Sequence, residues 1–246
     1  MKPVLFHIGP LAIRSWGVFV ASGILAGLFF ANRSAKQKGI DGEKILNLAF
    51  YLLLSGLFGA RVIYVLTELP YFISNPLEIF MIQAGGLAIQ GAILGGFIAS
   101  YFFCRYHKLS FAKVADVFAP SLLIGQAIGR IGCFLNGDAY GKVTDFVLKV
   151  KFPMLAGFRH PSQLYESALD FIAFGLIMVW GKKFKNDGAL FSVVIIIYSL
   201  IRFAVEPTRE SDILAFGISY AQFAALATVL VFGIVLGKQL GTKSAS

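Results

Sequence analysis

The chain has 246 residues, of which 57% are hydrophobic and 14% charged, and its mean hydropathy is +0.76. Soluble domains usually carry about 25% charged residues, and the aromatic content of 15% excludes a disordered chain. The composition therefore predicts an all-α polytopic membrane protein with a single domain over residues 1–246. The net charge of +9 does not indicate nucleic-acid binding, because the basic residues lie in short segments between apolar runs.

Seven stretches are long and apolar enough to cross a bilayer as helices, which takes about 20 residues. In chain order they cover approximately residues 15–30, 45–66, 85–103, 114–136, 163–180, 189–205 and 217–236. The sixth contains FSVVIIIYSLI, which is apolar throughout, whereas the strands of a membrane barrel alternate apolar and polar residues. The pattern therefore predicts about seven transmembrane helices.

Positive charge in the short connections predicts the orientation, because cytoplasmic loops carry an excess of Lys and Arg. Of the 22 basic residues, twelve lie in the first, third and fifth connections and the C-terminal tail, and seven lie on the other side. This distribution places the N-terminus outside the cytoplasm and the C-terminus inside. The longest outer connection, residues 137–161, is expected to form a small extracytoplasmic cap.

The remaining three basic residues, Arg61, Arg130 and Arg202, fall within predicted spans. An arginine at the centre of a span costs at least about 2.5–3.5 kcal/mol on insertion scales, so each needs a partner or a function. One alternative is that each guanidinium pairs with a carboxylate or with helix-end carbonyls and only stabilises the bundle. This alternative suits Arg202, because Glu206 lies four residues later on the same helix face.

Arg130 has no acidic residue one turn away on its own helix. The glycines near it in sequence are Gly125, Gly129, Gly132, Gly137 and Gly141. Small residues at this spacing let helices approach closely, and they also leave room for a ligand beside the arginine. Because a guanidinium matches a phosphate with two N–H donors, Arg130 indicates a binding site for the phosphate of a lipid head group.

Two further polar segments accompany these arginines. Tyr198, Arg202 and Glu206 recur every four residues and form a stripe that must face the bundle interior or a water-filled cavity. The sequence HPSQLYE at residues 160–166 is most simply the start of the fifth helix. We expect neither a metal site nor a cofactor, because the three histidines lie in separate loops and the chain has no P-loop or dinucleotide fingerprint.

Five motifs in order give the chain a specific resemblance. They are GPLAIRSWG at residues 9–17, GARVIYVL at 59–66, GRIGCFLNGDAYG at 129–141, HPSQLYE at 160–166 and IRFAVEPTRESD at 201–212. Together they resemble the prolipoprotein diacylglyceryl transferases, seven-span enzymes of the bacterial cytoplasmic (inner) membrane. The resemblance implies transfer of a diacylglyceryl group from phosphatidylglycerol to the lipobox cysteine of a preprolipoprotein, which forms a thioether and releases glycerol phosphate.

The resemblance also implies roles for individual residues. Arg130 matches the arginine that contacts phosphatidylglycerol, and Arg202 matches the second essential arginine. The expected catalytic residues are Arg130, Arg202, Glu206 and Asp138, of which Glu206 and Asp138 are the candidate bases. The expected substrate-binding residues are Arg130, Asn136, Gly141, Tyr198, Gln90, Arg61 and Glu166.

Three positions differ from the pattern that is common in the family. Gln90 stands where many members have a histidine, Cys133 where asparagine is usual, and Trp16 where tyrosine is usual. Gln90 cannot accept a proton as a histidine can. A divergent paralogue with another lipid or peptide substrate, or a polytopic lipid-binding or transport protein, therefore remains the alternative.

Overall fold

The computed structural model describes residues 1–9, 11–82, 85–153, 155–215 and 217–241. The helices in these ranges are α1 (Ser15–Gln37), α2 (Gly42–Thr67), α3 (Leu69–Ser74), α4 (Ile89–Tyr106), α5 (Phe111–Asn136), α6 (Ser162–Trp180), α7 (Ala189–Val205) and α8 (Tyr220–Gly241). Antiparallel hairpins pair β1 (Val4–Ile8) with β2 (Leu11–Arg14), β3 (Val150–Lys151) with β4 (Phe158–Arg159), and β5 (Ile213–Ala215) with β6 (Ile218–Ser219).

Six of the described helices, α1, α2, α5, α6, α7 and α8, are long and apolar enough to cross a membrane. The predicted class of a helical, multi-pass membrane protein is therefore confirmed. The predicted third span corresponds to α4, which has 18 residues, carries Gln90 in its first turn and Arg105 in its last, and is not among the six. The count of seven spans stays a prediction.

Backbone contacts divide the chain into two compact units. The first comprises residues 1–34 and 115–246, and the second comprises residues 35–114. The expectation of a single domain over residues 1–246 stays a prediction, and each unit is described by itself below.

The first unit has a core between α5, α6 and α7. It is built from buried side chains that each helix contributes in pairs: Ala119 and Leu123, Ala173 and Ile177, and Leu190 and Val194. Asp116 fixes the start of α7, because its carboxylate accepts hydrogen bonds from the backbone N–H groups of Gly188 at 2.9 Å and Phe191 at 2.8 Å. The helix ends at Val205, two residues before Pro207, as the sequence predicted.

The connection over residues 137–161 folds back on the ends of two helices. Gly141 donates its N–H to the carbonyl of His160 at 3.0 Å, and Lys142 donates to the carbonyl of Thr208 at 2.8 Å. Phe152 in this connection is only 1% exposed. These contacts tie the connection to the start of α6 and the end of α7.

The second unit depends on a close crossing of α2 and α4. A Cβ atom at Gly91 would overlap the backbone carbonyl of Gly59, and a Cβ atom at Gly59 would overlap that of Gly91. The backbone N–H of Ala88 also donates to the carbonyl of Ala60 at 3.0 Å. Glycine at both positions therefore allows backbone contact between the two helices.

Gly91→Ala is expected to destabilise the protein by about 1–3 kcal/mol, because the added methyl group separates two backbones in contact. Gly96→Ala is the matched control on the same helix, since its Cβ would lie 3.7 Å from the Leu52 side chain, an ordinary contact. Thermal unfolding in detergent measures both variants. Equal midpoints for the two variants would contradict the close crossing.

Candidate functional site

Glu166 is the centre of a buried polar cluster in the first unit. The residue is 0% exposed and lies in the second turn of α6. Arg130 on α5 donates from Nη2 to Oε1 of Glu166 at 2.7 Å, and Arg202 on α7 donates from Nη1 to Oε2 at 3.3 Å. Tyr198 directs its hydroxyl to Oε1 at 3.5 Å. Three residues from the predicted site thus meet at the carboxylate of a fourth, Glu166.

Arg130 has a carboxylate partner, Glu166, although none lies one turn away on its own helix. Its partner lies on another helix, 36 residues later in the chain, where a comparison confined to its own helix could not find it. The hydrogen bond to Glu166 uses one of the five guanidinium N–H donors, and Nε of Arg130 is buried without a hydrogen-bond partner among the described residues. Arg130 is therefore held in place by Glu166 and has donors that this contact does not use.

The glycines around Arg130 were expected to allow close helix packing and to leave space beside the arginine, and the structure shows both features. Gly125 packs against α1, where its carbonyl would lie 3.1 Å from a Cβ atom at Gly23, and Gly132 packs against Phe19. Apart from its chain neighbours and the backbone of its own helix, no described atom lies within 4 Å of the position that a Cβ would take at Gly129. The residue before Arg130 therefore faces open space.

Arg202 also makes the intrahelical ion pair that the sequence predicted. Its Nη2 lies 2.7 Å from Oε2 of Glu206, whose Oε1 accepts a hydrogen bond from the hydroxyl of Ser219 at 3.1 Å. Glu206 is 3% exposed. In this state its carboxylate serves as a counter-ion for Arg202, so its expected role as a base stays a prediction.

Arg209 is the member of the cluster that the sequence analysis missed. Its Nη1 lies 3.9 Å from Oε2 of Glu166, and its Nε lies 3.9 Å from Oε2 of Glu206. Burial and the positive charges of Arg202 and Arg130 lower the pKa of Arg209 below its usual value. The spacing of three residues between Glu206 and Arg209 was a signal in the sequence that the two side chains could meet. Pro207 predicts that the helix ends before Arg209, whereas the chain continues there as a 3₁₀ turn.

Asp170 is a second buried group without an assigned role. It lies one turn after Glu166, is 0% exposed, and has no hydrogen-bond partner for either carboxylate oxygen among the described residues. No ion pair within 4 Å joins Asp170 to an arginine among the described residues. Ion-pair contacts within 4 Å connect the five residues that we call the arginine cluster: Arg130, Arg202, Arg209, Glu166 and Glu206. Asp170 is not one of them.

Asn136 and Asp138 lie at the C-terminal end of α5. The Asn136 amide donates to the carboxylate of Asp138 at 2.6 Å, and Gln163 donates to the backbone carbonyl of Asp138, also at 2.6 Å. Asp138 is exposed. Cys133 lies beside both Asp138 and Trp16, so two of the three positions that differ from the family pattern are neighbours.

Gly141 has a packing role that accounts for glycine at this position. A Cβ atom there would overlap the hydroxyl of Ser162, the carbonyl of Thr208 and the side chain of His160. Bulk at Gly141 would therefore push the connection away from the turn that carries Arg209, which forms a backbone bridge with Gly141. Its expected contact with substrate stays a prediction.

Arg61 and Gln90 belong to the second unit. Arg61 is 7% exposed and donates to four backbone carbonyls, those of Glu78, Ile79 at 2.9 Å, Gly85 at 2.7 Å and Gly86 at 3.0 Å. These contacts match the alternative in which an intramembrane arginine binds carbonyls, and they occupy the donors that a lipid phosphate would need. Gln90 is exposed in the first turn of α4.

The described residues contain no group of three or more His, Cys, Asp or Glu side chains that could hold a metal ion. The polar cluster of the first unit is built from guanidinium and carboxylate groups. Such a cluster can hold an anion and stabilise negative charge that develops on it.

Comparison with known proteins gives a consistent result. Residues 3–237 match the family model described as prolipoprotein diacylglyceryl transferase. A protein from Staphylococcus haemolyticus is 34% identical over 96% of this chain and 87% of its own length, and one from Clostridium kluyveri is 36% identical over 96% and 94%. A Staphylococcus aureus protein is 35% identical over 94% and 86%. All three are named phosphatidylglycerol–prolipoprotein diacylglyceryl transferase. The chain belongs to the prolipoprotein diacylglyceryl transferase family.

Proposed function

We propose that this protein transfers the diacylglyceryl group of phosphatidylglycerol to the thiol of the lipobox cysteine in a prolipoprotein. A carbon–sulfur bond forms at the glycerol carbon, the carbon–oxygen bond to the phosphate breaks, and glycerol phosphate leaves with the electron pair of that bond. The thiol proton passes to a carboxylate base, for which Asp138 is the candidate. The observation that carries the proposal is the convergence of Arg130 and Arg202 on buried Glu166 inside apolar helices.

The substrate supplies the nucleophile, so the protein needs no covalent residue of its own. A free thiol has a pKa near 8.5, which leaves a few per cent as thiolate at neutral pH. The protein must align sulfur, carbon and leaving oxygen and stabilise charge on the leaving phosphate. Arg130 and Arg202 serve the second task in this proposal, while Glu166 and Glu206 hold their guanidinium groups in place.

The other predicted residues enter the proposal with narrower roles. Asp138 is the candidate proton acceptor, because its carboxylate is exposed and lies beside the end of α5. Asn136 orients that carboxylate through their hydrogen bond. Tyr198 supports Glu166. Gln90 is proposed to contact substrate as a polar group, and its side chain cannot accept the thiol proton.

The test is a transfer assay with purified protein, phosphatidylglycerol vesicles and a lipobox peptide. We expect a thioether-linked diacylglyceryl peptide and an equal amount of glycerol phosphate. A peptide with serine in place of the cysteine, and vesicles of phosphatidylethanolamine alone, are the controls. Product from phosphatidylethanolamine but not from phosphatidylglycerol would favour a paralogue with another lipid substrate, and no product with either lipid would contradict transferase activity.

We further propose that the protein lies in the bacterial cytoplasmic membrane with its N-terminus outside and its C-terminus inside. The excess of Lys and Arg in the first, third and fifth connections supports this orientation. In a background that lacks the native cysteines, a cysteine introduced by His7→Cys is expected to react with an impermeant maleimide in intact cells. One introduced by Lys183→Cys is expected to react only after lysis, and the reverse pattern would contradict the proposed orientation.

A further inference from the structure

A turn in the connection between α5 and α6 presents large apolar side chains to its surroundings. The backbone N–H of Lys149 donates to the carbonyl of Phe146 at 3.1 Å, and the N–H of Phe146 donates to the hydroxyl of Thr144 at 3.1 Å. We call Phe146, Val147 and Leu148 the apolar turn, and these residues are 53%, 89% and 59% exposed. Turns usually carry Gly, Pro, Asn, Asp or Ser, so three successive large apolar residues indicate a further role for this turn.

Exposed apolar side chains continue from the turn into the neighbouring hairpin. Phe158 in β4 is exposed, and so is Val143, which precedes the turn. The N–H of Thr144 donates to the carbonyl of Phe158 at 2.9 Å, and Nζ of Lys149 lies 5.0 Å from the centre of the Phe158 ring. These contacts place Phe158 beside the apolar turn. Adjoining exposed apolar residues outside the membrane-crossing helices are typical of an interaction surface.

Contacts with α6 place the apolar turn at the level where that helix enters the membrane. The hydroxyl of Tyr165 donates to the backbone carbonyl of Leu148 at 3.4 Å, and the ring centres of Phe146 and His160 lie 5.9 Å apart. Tyr165 lies in the first turn of α6, which is one of the six helices long and apolar enough to cross a membrane. The ends of such helices lie among the lipid head groups, next to the hydrocarbon. The apolar turn is therefore held beside the membrane surface.

The charged residues around the turn are complementary to an anionic surface. Residues 142–151 contain three lysines, Lys142, Lys149 and Lys151, and one acidic residue, Asp145. Lys149 pairs with Asp145 at 3.1 Å, which leaves an excess of two positive charges on Lys142 and Lys151, and both of these residues are exposed. Basic residues beside exposed apolar side chains are typical of segments that lie in the interface of a membrane with anionic lipids.

We propose that the apolar turn inserts into the head-group interface of an anionic bilayer, with Lys142 and Lys151 facing the lipid head groups. The partner of this surface is the membrane that α6 crosses, because the contact with Tyr165 holds the turn at that depth. Insertion would remove apolar side chains from water and anchor the connection at the start of α6. The inference does not depend on the proposed transferase function, since it concerns only this surface.

The experiment places a polarity-sensitive NBD fluorophore on the turn of the full chain in vesicles. The label is attached at Val147→Cys in a background with Cys104→Ala and Cys133→Ala. The vesicles consist of phosphatidylcholine with or without phosphatidylglycerol, and a phosphatidylcholine with a nitroxide near its head group quenches labels in the interface. In vesicles with phosphatidylglycerol, we expect emission at shorter wavelength and loss of most of the fluorescence to the quencher.

Two sets of matched variants separate insertion from mere proximity to the membrane. Phe146→Ser with Leu148→Ser removes the neighbouring apolar side chains and should reverse the wavelength shift and most of the quenching. Lys142→Gln with Lys151→Gln should lower the quenching in vesicles with phosphatidylglycerol to the level seen without it. The thermal midpoint of each labelled protein shows that it is folded.

A label that stays unquenched in both kinds of vesicle would overturn the inference, and so would equal quenching with and without the two serine substitutions. A response that appears only after a lipobox peptide is added would show a peptide-binding surface instead. A response that grows with the number of protein molecules per vesicle would show contact with a second copy, which also contradicts the inference. If the labelled Val147→Cys protein does not fold, a label at Leu148→Cys decides by the same criteria, with Phe146→Ser and Val147→Ser as its matched substitutions.

Discussion

Arg130→Gln is expected to reduce diacylglyceryl transfer about 10²- to 10³-fold, the usual cost of losing one donor to a developing oxyanion. Arg130→Lys should also be impaired, because an ammonium group cannot present two parallel N–H donors to a phosphate while another donor binds Glu166. The measurement is turnover of a lipobox peptide with phosphatidylglycerol. The thermal midpoint of each variant is recorded to separate loss of function from loss of folding.

The double variant Arg130→Gln/Glu166→Gln decides whether Arg130 acts on the lipid or only on Glu166. Arg130 binds Glu166 at 2.7 Å, so a purely structural role consists in neutralising that carboxylate. In that case the double variant should bind glycerol phosphate as tightly as Glu166→Gln alone. If Arg130 binds the lipid phosphate, the double variant should bind glycerol phosphate more weakly than Glu166→Gln alone, because it has lost a guanidinium donor. Equal affinity in the two variants would remove Arg130 from the proposed mechanism.

The sequence correctly predicted the features that depend on a single helix, namely a polar face, an ion pair along it and the end of the helix. The spacing of Tyr198, Arg202 and Glu206 predicted one polar face, and Arg202 and Glu206 form the expected ion pair at 2.7 Å. The end of α7 before Pro207 follows from the missing backbone N–H of proline. These features depend on helical periodicity and local stereochemistry, which neighbouring residues determine.

Contacts between helices could not be derived in this way. Glu166 meets Arg130 and Arg202 across α5, α6 and α7, and only helix packing determines which side chains converge. The family resemblance assigned Glu166 to the site but did not name its partners. Arg209 was missed for a related reason, since a proline normally marks the end of a helical face.

Arg61 shows that an intramembrane arginine does not by itself indicate an anion site. Its guanidinium binds carbonyls of the segment that precedes α4, and the rings of Tyr64 and Phe72 lie 5.7 Å and 5.2 Å from it. The positive φ of +92° at Gly85 and +75° at Gly86 brings carbonyls toward the side chain. Every residue has a backbone carbonyl, so the sequence does not show which carbonyls surround a side chain. It therefore could not distinguish carbonyl binding by Arg61 from phosphate binding.

Glu166→Gln is expected to abolish most transfer activity and to destabilise the protein. The substitution leaves Arg130, Arg202 and Arg209 with Glu206 as the one remaining carboxylate of the cluster. Breaking a buried ion pair by removing one partner costs about 3–5 kcal/mol, and Glu166 is 0% exposed. Glu210→Gln is the matched control, because Glu210 pairs with Arg159 at 2.5 Å but is 50% exposed, and exposed pairs contribute about 0–1 kcal/mol.

The decisive comparison for Glu166→Gln is between its affinity for glycerol phosphate and its rate of diacylglyceryl transfer. The cluster gains one positive charge, so affinity for glycerol phosphate should hold or rise, as measured by the shift in thermal midpoint. Turnover should fall, because Arg130 and Arg202 lose the carboxylate that orients them. Loss of both properties in a folded variant would mean that anion binding also requires the arginine geometry that Glu166 maintains. Wild-type turnover would show that the arginines need no such support, because helix packing alone would then hold them in the geometry that the reaction requires.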